Sequence, residues 1–321
     1  MAIIHGYIGT YTSPEAPGTY RFVLDTEAGQ LRQPALVYPQ TNTKYAVWSN
    51  GLLATVTENS EGSGLALLST AGEVKLLDRR ICEKTTACFL AWQDSLLYSA
   101  NYHDGHVLIH AVEDGKLRLV RRLFLGEESG CHQVIFHGRW LLIPCLKLDK
   151  VFLFDREKDF APAGELTFAP GTGPRHGVFS RDHRRFWLVS ETSNQLFTYR
   201  VSGADFTLEG ICPILPDGFT GKADTAAIRL SEDESTLYIS VRGADLIAVF
   251  RLGEGLPRLL QHADSLGQDP WDILLVPGSS LLLTANRKSS ALVLRRLEAD
   301  GCVGRELSRI SVPQCVGLCL E

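Results

Sequence analysis

The sequence predicts an all-β fold, a seven-bladed β-propeller of mostly four-stranded antiparallel blades. Three observations predict it. Short apolar segments follow one another without helical periodicity. They recur at a period near 45 residues. Each chain end carries a strand-like segment that lacks a neighbour.

The segments come first. LLYSA (96–100), VLIHAV (107–112), WLLIP (140–144), VFLF (151–154), LYISV (237–241), LIAVF (246–250) and LLLTA (281–285) are rich in β-branched and aromatic residues. Gly, Asp, Asn or Ser bounds each of them, which is the strand signature. The second strand of each copy aligns on the residue that follows it. Those residues are Tyr11, Glu58, Tyr102, Leu146, Glu191, Arg242 and Arg287, at spacings of 44 to 51 residues. Such a period with three or four strands per copy marks a propeller, and seven anchors mean seven blades. Fourth strands are expected at LRLVRRLFL, APAGELTF, TLEGICPIL, LPRLLQHADSL and RELSRISV. The C-terminal QCVGLCLE reads as a first strand with no second, and the N-terminal IIHGYIGTYT as a second with no first. Together they complete one blade and close the ring, which removes exposed sheet edges. No linker or low-complexity tract divides the chain, so residues 1–321 read as one domain.

Composition narrows the function. A net charge of −5 and 45% apolar residues give no reason to expect nucleic acid or an anionic membrane as partner. No apolar run approaches the length of a spanning helix, and the first residues lack the layout of a secretory signal. The eight cysteines are scattered without a CxxC pair, and read as reduced, mostly buried thiols of a cytoplasmic protein.

Blade topology then places a site. The first strand of a blade is innermost and runs away from one rim of the channel; the second runs back to it. First-strand starts carry Cys131 and His132, Arg175 and His176, and Trp271 and Asp272. Second-strand ends carry Glu58, Asn101, Glu191, Arg242 and Arg287. Charged strand ends beside a water-filled channel are common, so each of these also reads as a salt-bridged rim residue. Taken together, arginines, acids and a histidine suit a small anionic substrate and proton transfer.

Three further features have plainer readings. His103-Asp104-Gly105-His106, with His110 beyond, reads as a turn opening an outer strand, because no acidic partner at metal-ligand spacing stands near it in sequence. GTGP (171–174) reads as the tight entry to a strand, with backbone N–H groups within reach of an anion; no GxxxxGK[ST] and no following helix support a phosphate loop. Trp48, Trp92, Trp140 and Trp187 read as packing between blades, whereas Trp271 stands where it would floor a pocket or shield the channel.

Several strings repeat those of a known family. They are Gly9-Thr10-Tyr11-Thr12, Glu58, Ala100-Asn101-Tyr102, Cys131-His132-Gln133, Gly173-Pro174-Arg175-His176 with Glu191, Ser240-Val241-Arg242-Gly243 and Ala285-Asn286. On these the chain resembles, over nearly its whole length, the seven-bladed lactonase family of bacterial propeller-type 6-phosphogluconolactonases and fungal carboxymuconate lactonizing enzymes. The resemblance implies a catalytic group of His132, Arg175, Glu191 and Arg242; placement at the same rim makes Glu58, Asn101, His176, Trp271 and Arg287 the expected substrate-binding residues. Arg175 and Arg242 would hold carboxylate or phosphate oxygens and stabilise charge on a lactone carbonyl, while His132 and Glu191 would move protons. It implies no metal and no cofactor; no GxSxG or HExxH is present.

The chain departs from the family's pattern at Gly130, Cys145-Leu146-Lys147, Ala227, Val241 and Trp271, although Asp149 is kept; Arg287 and Lys147 are candidate replacements for lost positive charge. The expected function is hydrolysis of a small anionic lactone. A muconate-type lactonizing cycloisomerase and a non-catalytic propeller binding a metabolite or protein are the alternatives.

Overall fold

The structure, a computed structural model, describes Ile3–Glu321; Met1 and Ala2, where the expected domain begins, lie outside the described residues. In chain order the strands are β1 (Ile3–Thr10), β2 (Thr19–Asp25), β3 (Gln30–Tyr38), β4 (Ala46–Ser49), β5 (Leu52–Asn59), β6 (Gly62–Ser69), β7 (Lys75–Glu83), β8 (Phe89–Gln93), β9 (Leu96–Asn101), β10 (His106–Glu113) and β11 (Lys116–Phe124). Next come β12 (Ile135–His137), β13 (Trp140–Cys145), β14 (Lys150–Asp155), β15 (Ala161–Thr167), β16 (Pro174–Phe179), β17 (Arg185–Ser190), β18 (Gln195–Ser202), β19 (Asp205–Pro213), β20 (Asp224–Leu230), β21 (Thr236–Arg242), β22 (Leu246–Arg251) and β23 (Arg258–Asp264). The last are β24 (Pro270–Leu275), β25 (Leu281–Asn286), β26 (Ala291–Leu297), β27 (Val303–Ser311) and β28 (Cys315–Leu320).

They form seven four-stranded sheets, the seven blades that the sequence predicts, and every blade has four strands. Six blades take four consecutive strands each, and the seventh has the order β28-β1-β2-β3. The second strands are β1, β5, β9, β13, β17, β21 and β25, and each alignment residue falls at or beside the end of one of them. Two short 3-10 turns, Leu146–Leu148 and Arg156–Lys158, are the helical elements among the described residues. None of these helices is long and apolar enough to cross a membrane.

By contacts the described residues group into two compact units. The first runs up to Val134 and adds Ala285–Leu294 and Leu307–Glu321; the second holds Ile135–Thr284 and Arg295–Glu306. In the first unit, Tyr7, Tyr38, Leu53 and Leu68 form one apolar cluster, and Leu65, Leu67, Leu90 and Leu97 another. In the second, Leu153, Phe186 and Phe197 pack together, as do Trp187, Val189, Ile239 and Phe250, and Tyr238, Ile247, Ile273 and Leu282. Each cluster joins residues of successive sheets, because alternate residues of a twisted strand face opposite neighbours. The four expected packing tryptophans lie in or against these clusters, and Trp92 Nε1 donates to the Val47 carbonyl of the preceding sheet at 3.3 Å.

The inner part of the first blade is tight. Gly6 on β1 pairs directly with Phe22 on β2, and a Cβ on Gly6 would stand 2.4 Å from the Phe22 ring. Glycine there lets the fully buried ring lie over the β1 backbone. Among the described residues no disulfide joins the eight cysteines, and burial pushes the Cys315 thiol up to about 12.

Phe22→Ala removes a buried ring from a site that cannot collapse around Gly6. The expected loss is about 3–5 kcal/mol, read from denaturant midpoints. Leu76→Ala, at a residue 47% exposed, is the control, with a change within about 0.5 kcal/mol. Equal effects at the two positions would contradict the packing described.

His110 on β10 is fully buried, and neither ring nitrogen makes a hydrogen bond. Burial first, and then the Arg80 charge, push its pKa down to about 4. The unfolded chain, with the ordinary value near 6.5, therefore binds more protons between those two values. Stability is full above pH 6.5 and falls as the pH drops towards 4, by about 3 kcal/mol from this residue. In His110→Leu the acid-side decline across that window should shrink by that amount, as measured by denaturant titrations at stepped pH. An unchanged decline would rule His110 out as its source.

Candidate active site

The second unit brings five of the expected residues together: Arg175, His176, Glu191, Arg242 and Trp271. Two backbone irregularities build the cluster. Strand β16 pairs with β17 at Pro174↔Ser190 and then at His176↔Val189, so Arg175 is an extra residue in the ladder. Such a bulge re-aims a side chain. Strand β20 pairs with β21 at Thr225↔Val241 and then at Ile228↔Ile239, leaving Ala226 and Ala227 opposite Ser240. The Ser240 hydroxyl accepts from the Ala227 N–H at 3.0 Å, and the Ala226 carbonyl accepts from Arg175 Nη1 at 2.6 Å.

Arg175 Nε donates to Glu191 Oε2 at 2.7 Å, and Arg242 Nη2 lies 3.0 Å from the same oxygen. Two guanidiniums thus share one carboxylate, and the trio carries one net positive charge. The Arg175 and Arg242 side chains are 3% and 9% exposed, and Glu191 is 20% exposed. The Arg242 contact with Glu191 is an ion pair without hydrogen-bond geometry, so Nη2, although buried, has no acceptor. The Arg242 guanidinium lies over the Trp271 ring, 4.4 Å from its centre, and Trp271 Nε1 donates to Asp269 Oδ2 at 2.9 Å. The aromatic face holds the cation in place without using its N–H groups. His176 is buried, with Nδ1 3.3 Å from Arg175 Nη1. Asp272, beside Trp271, is an ion-pair partner of Arg229 at 2.5 Å.

The loop before β16 is held by Asp149. Its Oδ2 accepts from the Gly171 N–H at 2.8 Å and its Oδ1 from the Gly173 N–H at 2.7 Å, while the Thr172 N–H donates to the Ala169 carbonyl. This corrects the expectation that these N–H groups are within reach of an anion, because the loop satisfies them internally. Gly173 then accepts from the Glu191 N–H at 2.8 Å, which ties the loop to the carboxylate-bearing residue. Sequence reading noted Asp149 only as a kept residue; its role became visible through the fold.

The first unit carries the other expected residues, in separate settings. His132 is buried, three residues before β12 starts at Ile135, so it stands in the approach to that strand rather than at its start. The Tyr102 and His132 rings stand perpendicular with their centres 5.8 Å apart, and Cys88 Sγ donates to the neighbouring Cys131 carbonyl at 3.2 Å. The Glu58 carboxylate accepts from Asn42 Nδ2. Asn101 is fully buried. Its Nδ2 donates to Glu83 Oε1 and the Thr85 carbonyl, and its Oδ1 accepts from the His103 and Asp104 N–H groups. Those bonds make Asn101 an organiser of its turn, against the expectation that it binds substrate. Arg287 and Lys44 each lie 5.4 Å from the centre of the Tyr11 ring. Burial pushes the Lys44 ammonium below its usual range, against the charges of Glu58 and Glu83. Sequence reading passed over Lys44, which precedes its strand without a motif. Lys147, the other candidate cation, is exposed.

The family profile described as "Lactonase, 7-bladed beta-propeller" matches residues 5–320. The chain belongs to this family. Among curated relatives, the 6-phosphogluconolactonase of Bacillus subtilis is 28% identical over 335 aligned positions, covering 96% of this chain and 95% of that enzyme. Among solved structures, a protein from Lactobacillus plantarum superposes with a TM-score of 0.94 at 27% identity, covering 100% of both chains. The periplasmic gluconolactonase of Pseudomonas aeruginosa superposes at 0.89 and 24% identity, covering 99% of both, and supports the fold.

Arg175→Ala should test the trio. It strips the Ala226 carbonyl of the Arg175 donor and removes one of the two arginines that share the Glu191 carboxylate. The expected cost is about 3–5 kcal/mol, towards the low end because Glu191 is partly exposed. Arg175→Lys, which keeps the charge without the planar fork, should recover part of it. Denaturant midpoints read both, and a neutral Arg175→Ala would contradict the buried pairing.

Proposed function

We propose that this lactonase-family chain hydrolyses a small anionic lactone of the sugar-acid kind. The observation that carries the reading is Arg242 Nη2: a buried cationic donor, fixed over Trp271, with no hydrogen-bond acceptor of its own. A carboxylate, a phosphate or the oxygen of a lactone carbonyl supplies that acceptor. Negative charge builds on the carbonyl oxygen as water adds, and a preorganised guanidinium stabilises that charge more than it does the neutral lactone. Glu191 takes a proton from the attacking water. The ring oxygen accepts a proton as its bond to the carbonyl carbon breaks, and we assign that second transfer to His132. The Bacillus subtilis relative is a 6-phosphogluconolactonase, which supports the sugar-acid class.

A pH-stat screen of the purified protein against a panel of lactones, including 6-phosphogluconolactone, tests the reading. One or more should be hydrolysed above the spontaneous rate. Glu191→Gln and His132→Ala should each lower kcat by about 10²-fold or more. In Glu191→Gln the trio becomes doubly positive, so the product acid should bind as tightly as in the parent or more so. Failure to hydrolyse any lactone, or full activity in both variants, would overturn the proposal.

A further inference from the structure

The turn between β9 and β10 holds a second group of ligating side chains, in the first unit. We propose that Glu83, Asp104 and His106 bind a divalent transition-metal cation. Glu83 is the last residue of β7, Asp104 lies in the turn, and His106 opens β10. Ligating atoms of the three lie within 4.8 Å of one another. The proposal does not depend on the lactonase reading.

Glu83 carries the argument. Its side chain is fully buried. Oε1 accepts twice, from Asn101 Nδ2 at 2.9 Å and from His106 Nε2 at 3.0 Å. Oε2 is buried and has no donor at all. The two hydrogen bonds satisfy Oε1 but leave the other half of the carboxylate desolvated and uncompensated, an arrangement that costs several kcal/mol by general experience. A cation on Oε2 removes that deficit. Asp104 is already fixed for such a role: the Lys84 N–H donates to its Oδ2 at 2.7 Å and Thr85 Oγ1 to its Oδ1 at 2.8 Å. Its Oδ2 also accepts from the Thr85 N–H at 3.4 Å, and Oδ1 keeps a lone pair for a metal.

The chain conformation brings the ligands together. Gly105, between Asp104 and His106, has φ +65°, and a Cβ there would fall 1.6 Å from the Gly126 carbonyl oxygen. Only glycine makes this turn, which aims Asp104 and His106 to the same side. The group opens on a cavity of about 560 Å³, lined by five carboxylates against two permanent cations, Lys84 and Arg122. That imbalance favours a cation, and the cavity has room for water to complete the coordination.

One imidazole and two carboxylates suit Mn²⁺, Fe²⁺ or Zn²⁺; the nitrogen disfavours Mg²⁺ and Ca²⁺, which prefer all-oxygen sites. On binding, His106 exchanges its Nε2–H bond to Glu83 for an Nε2–metal bond, with the ring proton on Nδ1.

Mn²⁺ is the probe, since it competes poorly for the eight thiols. The full-length protein is titrated, and free aquo-Mn²⁺ is counted by its electron paramagnetic resonance signal. The expected result is one saturable site per chain and a thermal midpoint that rises with Mn²⁺ concentration. Glu83→Gln and His106→Gln should each weaken binding at least tenfold and remove the Mn²⁺-dependent rise. Mg²⁺ at equal concentration should not displace the probe. Absence of saturable binding, or wild-type binding in a folded Glu83→Gln or His106→Gln protein, would overturn the proposal. Should Glu83→Gln fail to fold, His106→Gln decides.

Discussion

Strands from opposite ends of the chain share one ladder, from Gly6↔Leu320 to Thr10↔Cys315. Side chains lock the same pairing. The Tyr7 hydroxyl donates to the Glu321 carboxylate, Arg21 pairs with that carboxylate at 3.1 Å, and the Glu321 N–H donates to the His5 carbonyl at 2.9 Å. Burial and the Glu321 charge push the Tyr7 phenol well above its usual range, so it stays a donor at any physiological pH. Each of these contacts joins residues three hundred or more positions apart in a 321-residue chain. Loop-closure entropy grows slowly with length, so such a junction costs little more than a shorter one, and it leaves β1 without an open edge.

The regular ladder alone makes no site. In the second unit, the cluster appears where the ladder is broken. The bulge at Arg175 turns its side chain towards Glu191, and the bulge at Ala226 and Ala227 turns a carbonyl out of the sheet to meet Arg175. The two irregularities act as one device, since either alone would leave a guanidinium or a carbonyl short of a partner in a buried place. Asp149 extends this by fixing the loop from which β16 starts.

Repeat spacing and alternation were enough to read the blades, because each second strand ends in a residue of distinctive chemistry at a steady interval. Closure was legible from two orphan segments, IIHGYIGTYT and QCVGLCLE. Arg175, Glu191 and Arg242 were legible as strand-end residues of neighbouring copies, and they meet. What escaped depended on tertiary placement. Asn101 has the look of a rim residue, yet its amide is consumed by Glu83 and Thr85. The turn at Asp104 and His106 lacked an acidic neighbour in sequence, because Glu83 arrives from the outer strand of the preceding blade. His132 sits three residues ahead of its strand because β12 is only three residues long, which no hydrophobic pattern announces.

Buried arginines in this protein fall into two kinds, and the difference separates scaffold from chemistry. Arg295, 7% exposed, gives its donors to the carbonyls of Asp264 and Gly304, and burial lowers its pKa. It meets neutral acceptors that are already part of strand ends, and its charge has no counter-ion within bonding distance among the described residues. That is a fastener between strands. Arg175 and Arg242 instead converge on one carboxylate oxygen, with Arg242 resting on an indole face. A fold seeking stability alone would gain more from an apolar contact than from desolvating three charges around one oxygen. Retaining an excess cation there, with an N–H directed at no acceptor, is intelligible if an anion completes the group. The same reasoning applies with the sign reversed at Glu83 Oε2, where a buried carboxylate oxygen lacks a donor.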